Sequence, residues 1–84
     1  MASIGTPTVT GESTYRVTCS GLEPGKQYSL LGMRAVDSTS SPYSSFDAYA
    51  DASGSATFSC WVTGYTVSSI VKLALKELNS GILA

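Results

Sequence analysis

Two cysteines, six carboxylates, one tryptophan and five tyrosines carry most of the reactive or recognition chemistry of this 84-residue chain, and histidine is absent. Without imidazole the chain lacks the usual general base at neutral pH and the commonest zinc ligand. It also lacks the partner that activates a Ser or Cys nucleophile. Asp37, Asp47, Asp51, Glu12, Glu23 and Glu77 are scattered, so no motif pairs two of them for glycoside hydrolysis. A Gly-x-Ser-x-Gly elbow, a Walker loop and a Gly-x-Gly-x-x-Gly turn are all missing. The expectation is a non-enzymatic protein that uses no cofactor. Asp47 and Asp51 flank a turn without the acidic spacing of a calcium loop, so turn capping is the expected role and no metal site is assigned.

Cys19 and Cys60 fall on the inward faces of two alternating runs, Tyr15–Ser20 and Ser55–Thr63. A bond between them would close a loop of about forty residues, worth roughly 4 kcal/mol in the chain-entropy description. Two reduced thiols acting as small hydrophobes are the other outcome, and the sequence leaves both open. Trp61 alternates opposite Phe58 and Cys60 and is therefore expected on an outer face. With Tyr65, Tyr43 and Tyr49, and with Leu31 and Met33 opposite Tyr28 and Leu30, it forms the candidate interface.

The bulk properties say what must position these residues. Charged residues make up 13% of the chain, about half the usual share, while hydrophobic residues at 43% suffice for a globule. Ser and Thr fill the remaining polar positions, which suits strands and turns. The net charge is −1 and Arg16, Lys26, Arg34, Lys72 and Lys76 are dispersed, so nucleic acid is not an expected partner. No apolar run approaches the eighteen or so residues of a membrane helix. No secretory leader is visible at Met1-Ala-Ser-Ile-Gly-Thr-Pro. The simpler expectation is a protein made and used without export; the alternative is an extracellular protein whose leader has been removed.

Seven short strands are expected in a single domain over 1–84. Thr6–Thr10 begins with Pro7, where a missing donor matters least. Tyr15–Ser20 alternates Tyr15, Val17 and Cys19 against Arg16 and Thr18, as a half-buried strand requires. Gly21-Leu-Glu-Pro-Gly25 turns the chain into Gln27–Val36. After the polar loop 37–45, Phe46–Ala50 and Ser55–Thr63 are joined by Asp51-Ala-Ser-Gly54, a hairpin turn by its glycine. Residues 67–78 fit a helical stripe through Val67, Ile70, Val71, Ala74, Leu75 and Leu78. They fit equally a strand with Val71, Leu73 and Leu75 inward, and two packed sheets need that strand to close. The strand is preferred; five strands plus a C-terminal helix is the rival. A final strand at Ile82–Ala84 would be only three residues long, leaving an edge that another chain could complete.

The Gly-Leu-Glu-Pro-Gly corner, the Asp-Ala-Ser-Gly-Ser-Ala-Thr-Phe turn and the closing Glu-Leu-Asn-Ser-Gly-Ile-Leu-Ala together resemble bacterial and phage immunoglobulin-like domains. That resemblance covers most of Thr6 to Ala84. It implies an immunoglobulin-like two-sheet antiparallel β-sandwich. It further implies a virion structural protein, a capsid decoration or cement protein made in the host cytoplasm. Such a protein would bind a major capsid or other virion protein, or its own copies. An adhesive or carbohydrate-binding extracellular module is the alternative. The segment Ala50–Ala56 also resembles the neocarzinostatin family, which implies a small-ligand carrier as a further alternative.

Overall fold

Alternation of apolar and hydroxyl side chains decides two of the longer strands. In the computed structural model, residues 1–33, 44–62 and 72–84 are described, and they form an all-β fold of seven strands. These are β1 (Ser3–Ile4), β2 (Thr8–Val9), β3 (Thr14–Ser20), β4 (Gln27–Met33), β5 (Ser44–Tyr49), β6 (Ala56–Trp61) and β7 (Lys72–Glu77). In β3 and β6 every second residue is buried and the intervening Thr, Ser, Arg and Trp residues face out. One sheet pairs β3 with β6 along one edge and with β1 and then β2 along the other; the second has the order β5-β4-β7. All pairings are antiparallel.

The two inner faces close on one core. Tyr15, Val17 and Cys19 of β3 and Ala56, Phe58 and Cys60 of β6 meet Tyr28 and Leu30 of β4 and Leu75 of β7. Burying a side chain the size of Leu30 or Phe58 contributes about 1.5–3 kcal/mol relative to leaving it exposed. The architecture is therefore the expected two-sheet antiparallel sandwich. Lys72–Glu77 is extended, which overturns the C-terminal helix there; residues 67–71 lie outside the described residues. Leu75 faces the core while Ala74 is buried on the reverse face, so both sides of β7 are covered.

Three other expectations change. The N-terminal strand is divided: Ile4 lies opposite Cys19 and Thr8 opposite Arg16, so four steps along one chain face three along the other. The extra residue makes a bulge around Gly5-Thr6-Pro7, the position where a proline without a donor does least damage. The turn at Asp51–Gly54 forms, but it is not a hairpin: β5 pairs with β4 and β6 with β3, so the turn carries the chain between sheets. The final strand shrinks to one bridge, Lys76 to Ile82, beside a 2.7 Å bond from the Leu83 N–H to the Leu75 carbonyl. Asn79, with φ of 67°, makes that last reversal.

The Pro-Gly corner between β3 and β4 is tied down from both sides. The Leu22 N–H donates to Gly54 O at 3.0 Å, and the Gly25 N–H donates to Ala50 O at 2.9 Å. Lys26 then bridges Glu23 at 2.9 Å and Glu77 at 3.2 Å, joining the corner to the end of β7.

Candidate functional site

The outer face of the β3–β6 ladder is built mainly of hydroxyls. Thr14, Arg16 and Thr18 stand opposite Trp61, Ser59 and Thr57, all six pointing away from the core. Thr18 and Thr57 share a hydrogen bond at 3.1 Å, and Thr10 Oγ1 donates to Thr14 Oγ1 at 2.9 Å. Among these small side chains Arg16 and Trp61 are the two large ones. Register makes them diagonal neighbours, a relation in which Cβ atoms lie about 7–8 Å apart and long side chains still meet.

Trp61 is 56% exposed, as alternation predicts. Its indole is held edge-on against Phe46 of β5, with centroids 4.6 Å apart and planes at 70°. This contact links the neighbouring outer strands of the two sheets, and edge-to-face packing is the preferred aromatic arrangement. The indole also walls an open groove of about 350 Å³, lined by Arg16, Thr10, Thr14, Ser59, Tyr15 and Cys60. Arg16 has no ion-pair partner among the described residues, where the cation engaged by carboxylates is Lys26.

The backbone along this side of β6 is also presented outward. The Val62 N–H donates to Ser13 O at 2.8 Å, which makes 62 and 13 a hydrogen-bonded pair. Antiparallel pairs alternate, so the backbone N–H and C=O groups of Thr57, Ser59 and Trp61 point away from β3. Gly5 donating to the Thr18 carbonyl from the opposite edge agrees with that phase. No strand among the described residues pairs with this edge of β6.

The remaining expected interface residues do not gather around Trp61. Tyr49 is 68% exposed, but it stands on the outer face of the β5-β4-β7 sheet beside the Asp51 turn, whereas Trp61 ends β6 away from that turn. Leu31 and Met33 are not surface residues: at 6% and 0% exposure they pack with Ala74 in a second apolar cluster. β4 is the central strand of its sheet and is covered on both faces, so alternation there separates two interiors rather than inside from outside. Tyr43 and Tyr65 lie outside the described residues.

The cysteines do not pair. Cys19 faces Ala56 and Cys60 faces Tyr15, four residues out of step on adjacent strands, and both are free and buried. Four residues of strand span about 13 Å, about twice the Cα separation a disulfide permits. Burial pushes both thiols up, Cys60 to about 11, so neither is a thiolate nucleophile at neutral pH. The Cys60 thiol donates to the Phe58 carbonyl at 3.7 Å. The Tyr15 hydroxyl is buried near Cys60 and Ser44 without a well-formed hydrogen bond, and Ser44 Oγ is likewise unpaired.

Asp51 and Asp47 do turn and strand work. Asp51 Oδ1 accepts from the Ser53 N–H at 2.9 Å, the Ser53 hydroxyl at 2.7 Å and the Ser55 N–H at 3.0 Å. The Ser53 hydroxyl and then the turn's backbone donors hold its carboxyl below the usual range. Asp47 accepts from buried Ser29 at 2.6 Å. No group of three potential metal ligands occurs among the described residues.

Sequence reasoning missed Arg16, Thr10, Thr14 and Ser59. Alternation puts them on the outer face, but only the long-range register of β3 on β6 brings them beside Trp61. No protein-family model matches the chain, and no curated protein or solved structure matches it either.

Proposed function

We propose that this chain is a non-enzymatic structural protein of a phage virion, a capsid decoration or cement protein that docks on the particle by strand addition at β6. The observation that carries the reading is that no strand among the described residues pairs with the outward edge of β6, beside the exposed indole of Trp61 packed on Phe46. Outward N–H and C=O groups at Thr57, Ser59 and Trp61 offer main-chain pairing, and Trp61 offers a rigid aromatic anchor. Edges of this kind pair with extended segments of other chains, and buried aromatics dominate interface energies. The virion setting itself rests on the likeness of the corner and turn motifs to immunoglobulin-like phage domains.

Co-sedimentation with purified phage particles tests it. Ser59→Pro removes an outward donor without breaking the β3–β6 ladder, since proline is tolerated where an edge N–H faces solvent. Ser59→Pro and Trp61→Ala are each expected to lose particle binding while keeping the native circular dichroism spectrum. Undiminished occupancy by both folded variants would overturn docking through this edge.

A further inference from the structure

We infer that the segment docking on β6 is acidic: an extended stretch of a partner protein that places Asp or Glu directly opposite Ser59. This rests on the strand-addition reading and gives the partner its chemistry.

Arg16 is the one charged side chain among the described residues facing outward from β3 and β6, so no described carboxylate stands on that face of the ladder. Glu12, in the adjoining turn, does not line the groove. Ser59 stands between Arg16 and the open edge and is too short to screen it. A strand added beside β6 would lie about 4.8 Å beyond it, so its residue opposite Ser59 sits two strand spacings from Arg16. A guanidinium reaching over the serine and a carboxylate reaching back from the added strand close that span. Thr10 and Thr14 line the same groove and supply hydroxyls. Trp61, one diagonal step along β6, then covers the apolar stem of the acidic side chain or its neighbour.

The same geometry disfavours a second copy of this chain as the occupant. Two β6 strands paired edge to edge would leave the two Arg16 side chains three strand spacings, about 14 Å, apart with no carboxylate from either ladder between them, so neither guanidinium would gain a partner. Charge complementarity therefore selects an acidic partner.

Selection from a displayed library of random nine-residue peptides tests this, with the purified protein and its variants as targets. Peptides selected on the wild type should carry Asp or Glu at one fixed position within an alternating apolar pattern. Binding should quench or shift the fluorescence of Trp61, the chain's one tryptophan. Arg16→Ala should weaken these peptides about tenfold or more, the loss expected for a hydrogen bond between charged groups. Arg16→Glu should select Lys or Arg at the same position. Ser59→Pro should abolish binding of both peptide sets. Peptides that need an intact edge but show no acidic bias, or bind Arg16→Glu equally, overturn the acidic partner and leave strand addition standing. Peptides that ignore Ser59→Pro, or failure to select any, overturn strand addition and this inference with it. Binding of polygalacturonate at the groove with no peptide selected would identify a saccharide as the occupant instead.

Discussion

The Tyr28 hydroxyl accepts the backbone N–H of Glu23 at 2.9 Å, so the side chain that opens β4 also holds the corner that delivers the chain to it. Tyr28 is 4% exposed with its ring in the main core. Tyr28→Phe keeps the ring and strips the Glu23 N–H of its partner. We expect a loss of about 1–2 kcal/mol, the usual cost of leaving a part-buried donor unmade. In a domain of this size each kcal/mol lowers the thermal midpoint by about 4–8 °C. Equilibrium urea unfolding measures it; an unchanged midpoint would show that water replaces the bond at no cost.

Gly54 and Gly25 separate backbone strain from crowding. Both sit at positive φ, 81° and 83°. A Cβ on Gly25 would meet nothing within 4 Å, whereas one on Gly54 would lie 2.6 Å from the Leu22 carbonyl oxygen. Gly25→Ala should cost about 1–2 kcal/mol, the intrinsic penalty of the left-handed region. Gly54→Ala should cost more, because the chain must also move off Leu22, whose N–H donates to the Gly54 carbonyl. Equal losses for the two variants in parallel thermal melts would remove crowding from the explanation.

Local patterns in the sequence revealed the strands but not their neighbours. Tyr15, Val17 and Cys19 announced one face of β3, and Pro24-Gly25 announced its corner, because both signals are properties of adjacent residues. Leu73 and Leu75 were ambiguous between helix and strand, and the demand of a second sheet for a closing strand resolved them correctly over 72–77. The pairing of β5 with β4 rather than β6 is a long-range choice that the Asp51–Gly54 turn does not encode. Leu31 and Met33 misled because a strand covered on both faces carries apolar residues in both phases. Arg16 comes beside Trp61 only through its register against Ser59, which no local pattern encodes. The outward facing of Trp61, by contrast, follows from alternation alone.

Alkali should loosen the core. Burial, then the neighbouring Cys60, pushes the Tyr15 hydroxyl from 10.0 to about 12; burial, reinforced by Cys19, pushes the Cys60 thiol from 9.0 to about 11. In the unfolded chain both groups ionise at their ordinary values, so the folded state binds more protons between those limits. Stability is then fully present below about pH 9 and falls as pH rises through about 11 to 12. Tyr15→Phe should flatten the upper part of that decline. At neutral pH it should be neutral or stabilising by up to about 1 kcal/mol, since the hydroxyl it deletes is buried without a good partner. Urea midpoints at pH 7, 9, 10 and 11 check this, and an identical alkaline slope in the variant would remove Tyr15 from the account.

The register of β3 on β6 makes a definite claim about the two thiols. Cys19 and Cys60 point into the same core from adjacent strands but stand four residues apart along them. Bringing their sulfurs together would require sliding β3 past β6. An odd slide would turn Val17 and Phe58 out to solvent, and an even one would break the pairing at both ends of the ladder. Intact mass should therefore be the same with and without reductant, and iodoacetamide should modify neither thiol in the folded protein and both in denaturant. A non-reduced protein lighter by two hydrogens would mean a different register, and Arg16 would then no longer lie diagonal to Trp61.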